Sequence, residues 1–100
     1  MTPLDRLREL NTRDCLWTYV LRILRDGPMH GYAIRSEIEE RFGFRPGNVT
    51  SYKVIYLLKR SGMVSQKRDG RKIVYEITQR GKDALKEAVE FYKERADLLK

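Results

Sequence analysis

The stretch QKRDGRKIVYEIT at residues 66–78 differs from the rest of a chain that otherwise reads as helix. Its Asp69-Gly70 pair is a strong short-range signal for a β-hairpin, because glycine readily adopts the positive φ angles of tight hairpin turns. Apolar residues alternate with others over positions 73–77, as expected of a strand with one face against a core. We therefore predict two strands, at residues 63–67 and 71–77.

The hairpin lies in a segment that carries all of the net charge. The 100 residues include 21 basic and 14 acidic side chains, which gives a net charge of +7. Residues 44–75 hold eight of the basic side chains and one acid, whereas the 13 basic and 13 acidic side chains elsewhere cancel. A polyanion is the natural partner of such a segment. Composition alone leaves open the alternative of an ordinary solvated basic surface.

The N-terminal part of the chain predicts one helix and a shorter segment before it. Apolar residues recur at helical spacing over positions 16–24, and the Asp-Gly-Pro break at 26–28 ends this helix. Asn11 and Thr12 are suited to cap its start. Residues 1–11 are expected to form either a short extra helix or an arm.

Two further helices, joined by a short loop, precede the hairpin. Apolar spacing predicts the first over about residues 30–42, with Gly43 as its C-cap. Asn48 is expected to cap the second, and Gly62 ends it. One face of this second helix carries Ser51, Ile55 and Leu58, and the opposite side carries Lys53, Tyr56 and Arg60. Helix, loop, helix and hairpin in this order predict a winged helix-turn-helix, whose second helix enters the DNA major groove.

The predicted DNA contacts lie on that second helix and on the hairpin. Side chains near the start of a recognition helix read base edges, and a basic hairpin tip contacts phosphates by releasing condensed counterions. For Ser51 and Tyr52 the alternative is that they pack partly inside the protein. The candidate DNA-binding residues are Arg45, Asn48, Thr50, Ser51, Tyr52, Lys53, Tyr56, Lys67, Arg68, Arg71 and Lys72.

The last helix, which Thr78 is expected to cap, carries an apolar stripe with the spacing of a coiled-coil seam. At 1.5 Å per residue it would extend about 30 Å, which is longer than one small domain covers. We predict a homodimer interface here, to which the first helix and Trp17 contribute. The alternative is that the stripe packs against the core of the same chain. The candidate interface residues are Leu85, Ala88, Val89, Tyr92, Ala96 and Leu99.

The residues give no support for catalysis or metal binding. One histidine and one cysteine supply neither a metal cluster, a disulfide framework nor a nucleophile–base pair. His30 is therefore expected to be structural, Gly31 to allow close helix packing, Tyr32 to lie in the core and Cys15 to be a buried small apolar residue. No membrane span or signal peptide is recognisable, so we expect a cytoplasmic protein without a cofactor.

Three segments resemble the PadR family of winged-helix transcriptional regulators, in its short form with a single C-terminal helix. The block GPMHGYAI at 27–34 is the most specific. The segment TSYKVIYLLKRSGMV at 50–64 is similar to the family's recognition helix, and YEITQRGKDAL at 75–85 to its strand-to-helix junction. In one departure, Asn48 and Val49 separate Pro-Gly from Thr50, where the family often has Ser-Pro-Gly directly before Thr-x-Tyr. The loop is thus expected to be about two residues longer.

The resemblance implies a homodimeric repressor that binds double-stranded DNA. Some members of the family respond to small aromatic or drug-like ligands. A two-fold dimer is expected to read a near-palindromic operator. The expected fold is mainly α with a small β-hairpin, in a single domain, 1–100, with a winged-helix core over about 12–78 and a dimerisation helix over 79–100. Two alternatives remain: an architectural DNA-coating protein with little sequence preference, and a protein-interaction module. The second would need an apolar wing or recognition face, which this sequence lacks.

Overall fold

Five α-helices and a small antiparallel sheet make up the computed structural model, which describes residues 1–100. The elements are α1 (Pro3–Leu10), α2 (Leu16–Arg25), β1 (Met29–His30), α3 (Gly31–Phe42), α4 (Asn48–Arg60), β2 (Val64–Asp69), β3 (Lys72–Ile77) and α5 (Gln79–Leu98). A short 3-10 turn at Arg13–Cys15 leads into α2. The predicted order of helices and hairpin is confirmed, and residues 3–10 form a helix. None of the helices combines the length and hydropathy that a membrane span requires.

The sheet has three strands, in the order β1-β3-β2, where the sequence predicted two. Met29 pairs with Tyr75 and His30 with Val74, both antiparallel. A strand of two residues is too short to show any alternation, so its sequence carries no strand signal. Because α3 begins at the next residue, this strand ties the hairpin, hereafter the wing, directly to the helix-turn-helix.

The wing is a tight hairpin whose turn is shifted from the predicted one. Its register runs from Val64 opposite Ile77 to Asp69 opposite Lys72, so the two turn residues are Gly70 and Arg71 and not the Asp-Gly pair. Of these two turn residues only Gly70 has a positive φ, +63°, as the first position of a type II′ turn requires. The expected inward face is only partly inward: residue 77 is buried and residue 75 half-buried, but residue 73, near the tip, is exposed.

Helix α2 lies at the centre of the core and packs against α3, α4, α5 and β3. Its residues Val20, Leu21, Ile23 and Leu24 are almost completely buried. Full burial of a Val, Leu or Ile side chain stabilises a fold by about 1.5–3 kcal/mol, so this helix supplies a large share of the apolar stabilisation. The 13-residue core consists of Leu16, Val20, Leu21, Ile23, Leu24, Ile34, Ile38, Phe44, Ile55, Leu58, Val64, Ile77 and Leu85.

The junction between the wing and α5 is held by a cap and a close approach. The Thr78 hydroxyl accepts a hydrogen bond from the Gly81 N–H at 3.1 Å, as predicted for an N-cap, and donates one to the Gly62 carbonyl at 2.6 Å. Gly81 permits the approach, because a Cβ there would collide with the Met63 carbonyl oxygen. One threonine thus links α5, β3 and the end of α4.

Two of the predicted helix caps are wrong. The side chains of Asn11 and Thr12 donate to the carbonyls of Leu7 and Arg8, so they close the end of α1 and do not open α2. Asn48 is the first residue of α4, and its N-cap is Gly47. Gly43 and Gly62 end α3 and α4 with positive φ angles of 76° and 79°, as predicted.

Tyr32 and Cys15 also depart from expectation. Tyr32 is 59% exposed and not in the core, because it lies on the side of α3 opposite Ile34. Cys15 is only half-buried, and its Sγ lies 3.5 Å from the Tyr92 hydroxyl. That contact, together with burial, raises the pKa of Tyr92 to about 12. Gly31 permits the expected close packing, as described below.

Candidate nucleic-acid interface

The orientation of α4 is fixed by one buried face and by the loop before it. Ile55 and Leu58 belong to the core, and Ser51 lies on the same face. In the loop, Pro46 is fully buried and its carbonyl accepts a hydrogen bond from Arg35 Nε at 2.6 Å. These contacts leave the opposite side of α4 in solvent, as the sequence predicted.

The outward face of α4 carries four side chains at spacings of four, three and four residues: Val49, Lys53, Tyr56 and Arg60. All four are exposed. Such a row of side chains along one edge is what a helix presents when it lies in a major groove. Of these four, Lys53 and Tyr56 are among the predicted contacts, whereas Val49 and Arg60 are not.

The remaining predicted contacts of α4 divide by burial. Asn48, Thr50 and Tyr52 are exposed near the start of the helix. Ser51 is 4% exposed, and its hydroxyl donates to the Gly47 carbonyl at 2.8 Å. Its prediction as a DNA contact is therefore wrong, because the position is in phase with Ile55 and the hydroxyl is already paired within the helix.

The two residues that depart from the family pattern lie in the helix and not in the loop before it. Asn48 and Val49 form the first turn of α4, and Val49 is 83% exposed. An apolar side chain here is suited to contact a thymine methyl group in the major groove. Sequence reasoning missed Val49 because valine is not a typical DNA contact; the two-residue insertion was the signal that could have pointed to it.

The wing presents its four predicted basic residues to solvent. Arg68 and Arg71, at the tip, form no ion pair, and Lys67 lies 3.9 Å from the Glu76 carboxylate. Lys72 contacts the Tyr32 hydroxyl at 3.4 Å. Two unpaired guanidinium groups at an exposed tip are well placed to bind phosphates.

Arg45, in the loop before α4, is exposed but already paired. Its guanidinium lies 2.7 Å from the Glu39 carboxylate of α3. It remains a candidate contact whose charge is partly compensated within the protein.

The recognition helix and the wing meet at the start of α3. A Cβ on Gly31 would lie 2.8 Å from Tyr52 of α4 and 3.2 Å from Tyr75 of β3. Glycine is thus required for both rings to approach the first turn of α3. Burial, and secondarily the nearby Tyr52, raises the pKa of Tyr75. This packing fixes the wing beside the recognition helix.

A second exposed surface, the α1/α5 surface, lies on the two terminal helices and is apolar. No residue of α1 is buried, and its Leu4, Leu7 and Leu10 are about half-exposed. On α5 the exposed apolar side chains are Val89, Phe91, Tyr92, Leu98 and Leu99. A groove of about 640 Å³ between the two helices is lined in part by Leu7, Phe91 and Leu99.

The predicted interface residues of α5 divide between this surface and the core. Leu85 is 5% exposed and belongs to the chain's own core, so its prediction as an interface residue is wrong. Ala88 is half-buried, while Val89, Tyr92, Ala96 and Leu99 are exposed. The stripe therefore begins against the core and continues along the exposed part of α5.

The fold and this geometry can now be compared with known proteins. The chain matches the sequence model of the Transcriptional regulator PadR-like family over residues 20–87. The chain belongs to the PadR-like family of transcriptional regulators. It is thus a DNA-binding winged-helix regulator of a family that is not enzymatic. None of the chain's His, Cys, Asp and Glu side chains form a group of three or more that could hold a metal ion.

Solved structures share the fold of this PadR-like regulator at low sequence identity. A transcriptional regulator from Clostridium thermocellum is 20% identical, with a TM-score of 0.79 over 95% of this chain and 94% of that one. A PadR-like transcription factor from Bacteroides fragilis is 17% identical, with a TM-score of 0.78 over 94% and 95%. A winged-helix DNA-binding protein from STIV is 20% identical, with a TM-score of 0.71 over 82% and 90%. No sequence among curated proteins matches the chain significantly.

Proposed function

We propose that this PadR-like regulator is a homodimeric, sequence-specific repressor that acts on DNA in the cytoplasm. In this proposal α4 reads base edges in the major groove, and the wing binds the flanking phosphates. The observation that carries the proposal is the exposed row Val49, Lys53, Tyr56 and Arg60 beside an unpaired basic wing tip. A row with apolar, hydroxyl and cationic groups can distinguish base pairs in the major groove.

Sequence specificity separates this proposal from the architectural alternative. A protein that only coats DNA needs phosphate contacts alone, which carry no sequence information. Such a protein has no use for an exposed valine and tyrosine on the recognition helix. The mixed character of the α4 row therefore favours base readout over coating.

The dimer is proposed from the α1/α5 surface. Apolar patches of this kind on a small monomer mark protein contacts, and a second copy of the chain offers the same patch in a two-fold arrangement. Leu7 of α1 and Val89, Tyr92 and Leu99 of α5 are the residues we expect the partner to cover. A dimer presents two recognition helices, and hence a near-palindromic operator with half-sites about 34 Å apart.

Repression requires nothing beyond occupancy of the operator. A bound dimer blocks other proteins from the DNA that it covers. Transcription in vitro from a promoter that carries the operator tests this directly: added protein should reduce the transcript, whereas an increase would make the protein an activator.

Response to a small aromatic ligand is supported by the aromatic lining next to the terminal helices. A groove of about 540 Å³ contains Trp17, Phe91 and Tyr92 together with Met63 and Ala88. Apolar, aromatic lining with few polar groups suits a flat hydrophobic compound. Trp17 is the only tryptophan of the chain, so tryptophan fluorescence reports on this single position at the groove. A bound aromatic compound should quench that fluorescence and weaken operator binding; quenching without an effect on DNA would remove the regulatory role.

The central experiment is a salt titration of binding to a selected operator and to a random duplex. A sequence-specific dimer should bind the operator at least about 10³-fold more tightly at physiological salt. Equal affinity for both duplexes, with a steep salt dependence, would favour the architectural alternative. Binding to neither duplex would favour a protein-interaction module.

A further inference from the structure

A small cleft lies where the wing, the first turn of α3 and the recognition helix meet. It has a volume of about 260 Å³. Its lining residues are His30, Gly31, Tyr32, Tyr52, Arg71, Lys72, Ile73 and Tyr75. Two of them are cations and none is a carboxylate. An open cleft with two cations and several hydroxyl groups is suited to an oxyanion.

Lys72 is held at this cleft by Tyr32. Its Nζ lies 5.4 Å from the centroid of the Tyr32 ring and 3.4 Å from the Tyr32 hydroxyl. The ring face attracts the ammonium group, and the hydroxyl oxygen accepts a hydrogen bond from it. A lysine side chain has many rotamers, so these two contacts restrict where its charge lies.

Tyr32 is itself held by His30. The two rings are nearly parallel, at 4°, with centroids 5.8 Å apart. His30 Nε2 lies 3.7 Å from the carboxylate of Asp69. In the backbone register of the wing, Asp69 is the residue opposite Lys72. At 3.7 Å, His30 Nε2 and Asp69 form no hydrogen bond, and Asp69 does not line the cleft. The stacking of His30 on Tyr32 restricts the position of this exposed ring.

The recognition helix contributes the Tyr52 hydroxyl. Because Gly31 has no Cβ, the Tyr52 ring packs on the first turn of α3, and its hydroxyl lies 3.4 Å from where that Cβ would be. Tyrosine hydroxyls, lysine and arginine are all common ligands of DNA phosphates. The cleft thus brings such groups together from α4 and from the wing.

We propose that this cleft binds one backbone phosphate of double-stranded DNA. Lys72 and Arg71 neutralise its charge, Tyr52 donates a hydrogen bond to it, and Tyr32 is a positioning residue that keeps Lys72 in place. The inference rests on the proposed function, because the phosphate reaches the cleft only when α4 and the wing bind a duplex. The bound phosphate fixes the docking of α4 and carries no sequence information.

The test measures the affinity of the full-length protein for a random-sequence duplex of about 30 base pairs at several salt concentrations. Lys72→Gln should reduce the log–log salt slope by about 0.9, the value for one phosphate contact. Tyr32→Leu should weaken binding about two- to fivefold, since it removes an exposed cation–π contact. The double variant should bind no more weakly than Lys72→Gln, because Tyr32 acts through Lys72. Lys93→Gln, an exposed lysine on α5, is the matched control and should leave affinity and slope unchanged.

Four outcomes would overturn the inference. Wild-type affinity in Tyr32→Leu, or additive losses in the double variant, would show that Tyr32 does not position Lys72. Tyr52→Phe and Lys72→Gln test the cleft without changing Tyr32, and unchanged affinity in both would show that no phosphate binds there, whether or not Tyr32→Leu folds. A wild type that binds no duplex at low salt would overturn the proposed function as well, which distinguishes the two failures.

Discussion

The protein exposes two surfaces of opposite character, one formed by the middle of the sequence and the other by its two terminal helices. One, formed by α4 and the wing, is polar and basic: Lys53, Arg60, Arg68 and Arg71 are all in solvent. The other, the α1/α5 surface, is apolar, and its extreme residue Leu99 is 86% exposed. Neither surface is formed by the side chains of the core, which come mainly from α2, α3 and α4.

The difference between the two surfaces indicates two different partners. A basic surface gains binding free energy when a polyanion replaces its counterions, and salt weakens that interaction. An apolar surface gains free energy when it leaves water, and salt does not weaken that interaction. In the proposed function one surface binds DNA and the other binds a second copy of the chain, so changes to each surface should have different signatures.

The largest effect is expected at the apolar surface, from Val89→Asp. In the proposed dimer this change buries an unpaired carboxylate, which costs about 3–5 kcal/mol, and the two-fold axis repeats it. The variant should sediment as a monomer and lose specific binding far more than non-specific binding. Lys86→Asp, a charge change at an exposed position of the same helix, is the control and should stay dimeric. A Val89→Asp protein that remains dimeric at micromolar concentration would show that this surface has another purpose.

At the basic surface the double change Arg68→Ala and Arg71→Ala should weaken binding to every duplex alike. Two lost charge-assisted contacts amount to about 3 kcal/mol, and the salt slope should fall by about 1.8. Lys86→Ala combined with Lys93→Ala removes the same charge from α5 and should have little effect. If affinity and slope both stay at wild-type values, the wing tip does not touch phosphates.

Within the basic surface, Lys53→Ala should alter sequence preference. A lysine in the outward row can reach guanine acceptors, and such a contact discriminates by about 1–3 kcal/mol. Selection from a pool of random duplexes should then give a consensus that is relaxed at one position in each half-site. An unchanged consensus with uniformly lower affinity would limit Lys53 to the DNA backbone.

The smallest effect is expected where the two surfaces join, from Thr78→Val. This change keeps the side-chain shape and removes the hydroxyl that caps α5 and contacts the Gly62 carbonyl. Loss of an N-cap costs about 0.5–2 kcal/mol, which thermal or denaturant unfolding would detect. Thr2→Val removes the cap of the peripheral α1 and should cost less. Equal stability of Thr78→Val and wild type would mean that this link does not support the junction.

The sequence predicted the element order and the wing because those features rest on local patterns. Gly43, Gly62 and Gly70 mark positive φ angles that other residues rarely adopt, and Thr78 caps α5 as expected. β1 escaped prediction because its two residues have no local signal and form a strand only through β3. The caps at positions 11 and 12 failed because two helices nearly abut, and a polar residue between them can serve either end.

The candidate site was predicted less well, for reasons of helical phase. Tyr32 lies two residues before Ile34, a spacing of about 200°, which places it opposite the core. Ser51 lies four residues before Ile55 and so faces inward. Leu85 shares a stripe with Val89 and Tyr92, but spacing does not show where the core ends and the free part of α5 begins. Residue type suggested the core for Tyr32 and a binding surface for Ser51 and Leu85, and the three-dimensional environment reversed each of these predictions.

The measurement that tests the central claim most directly is the sequence of the DNA fragments that the purified protein retains from its own genome. If the α1/α5 surface forms a two-fold dimer and α4 reads the major groove, these fragments should share a near-palindrome. Its half-sites should be centred about 34 Å apart, or one turn of DNA. Fragments with no common sequence, or with a single unrepeated half-site, would contradict the account.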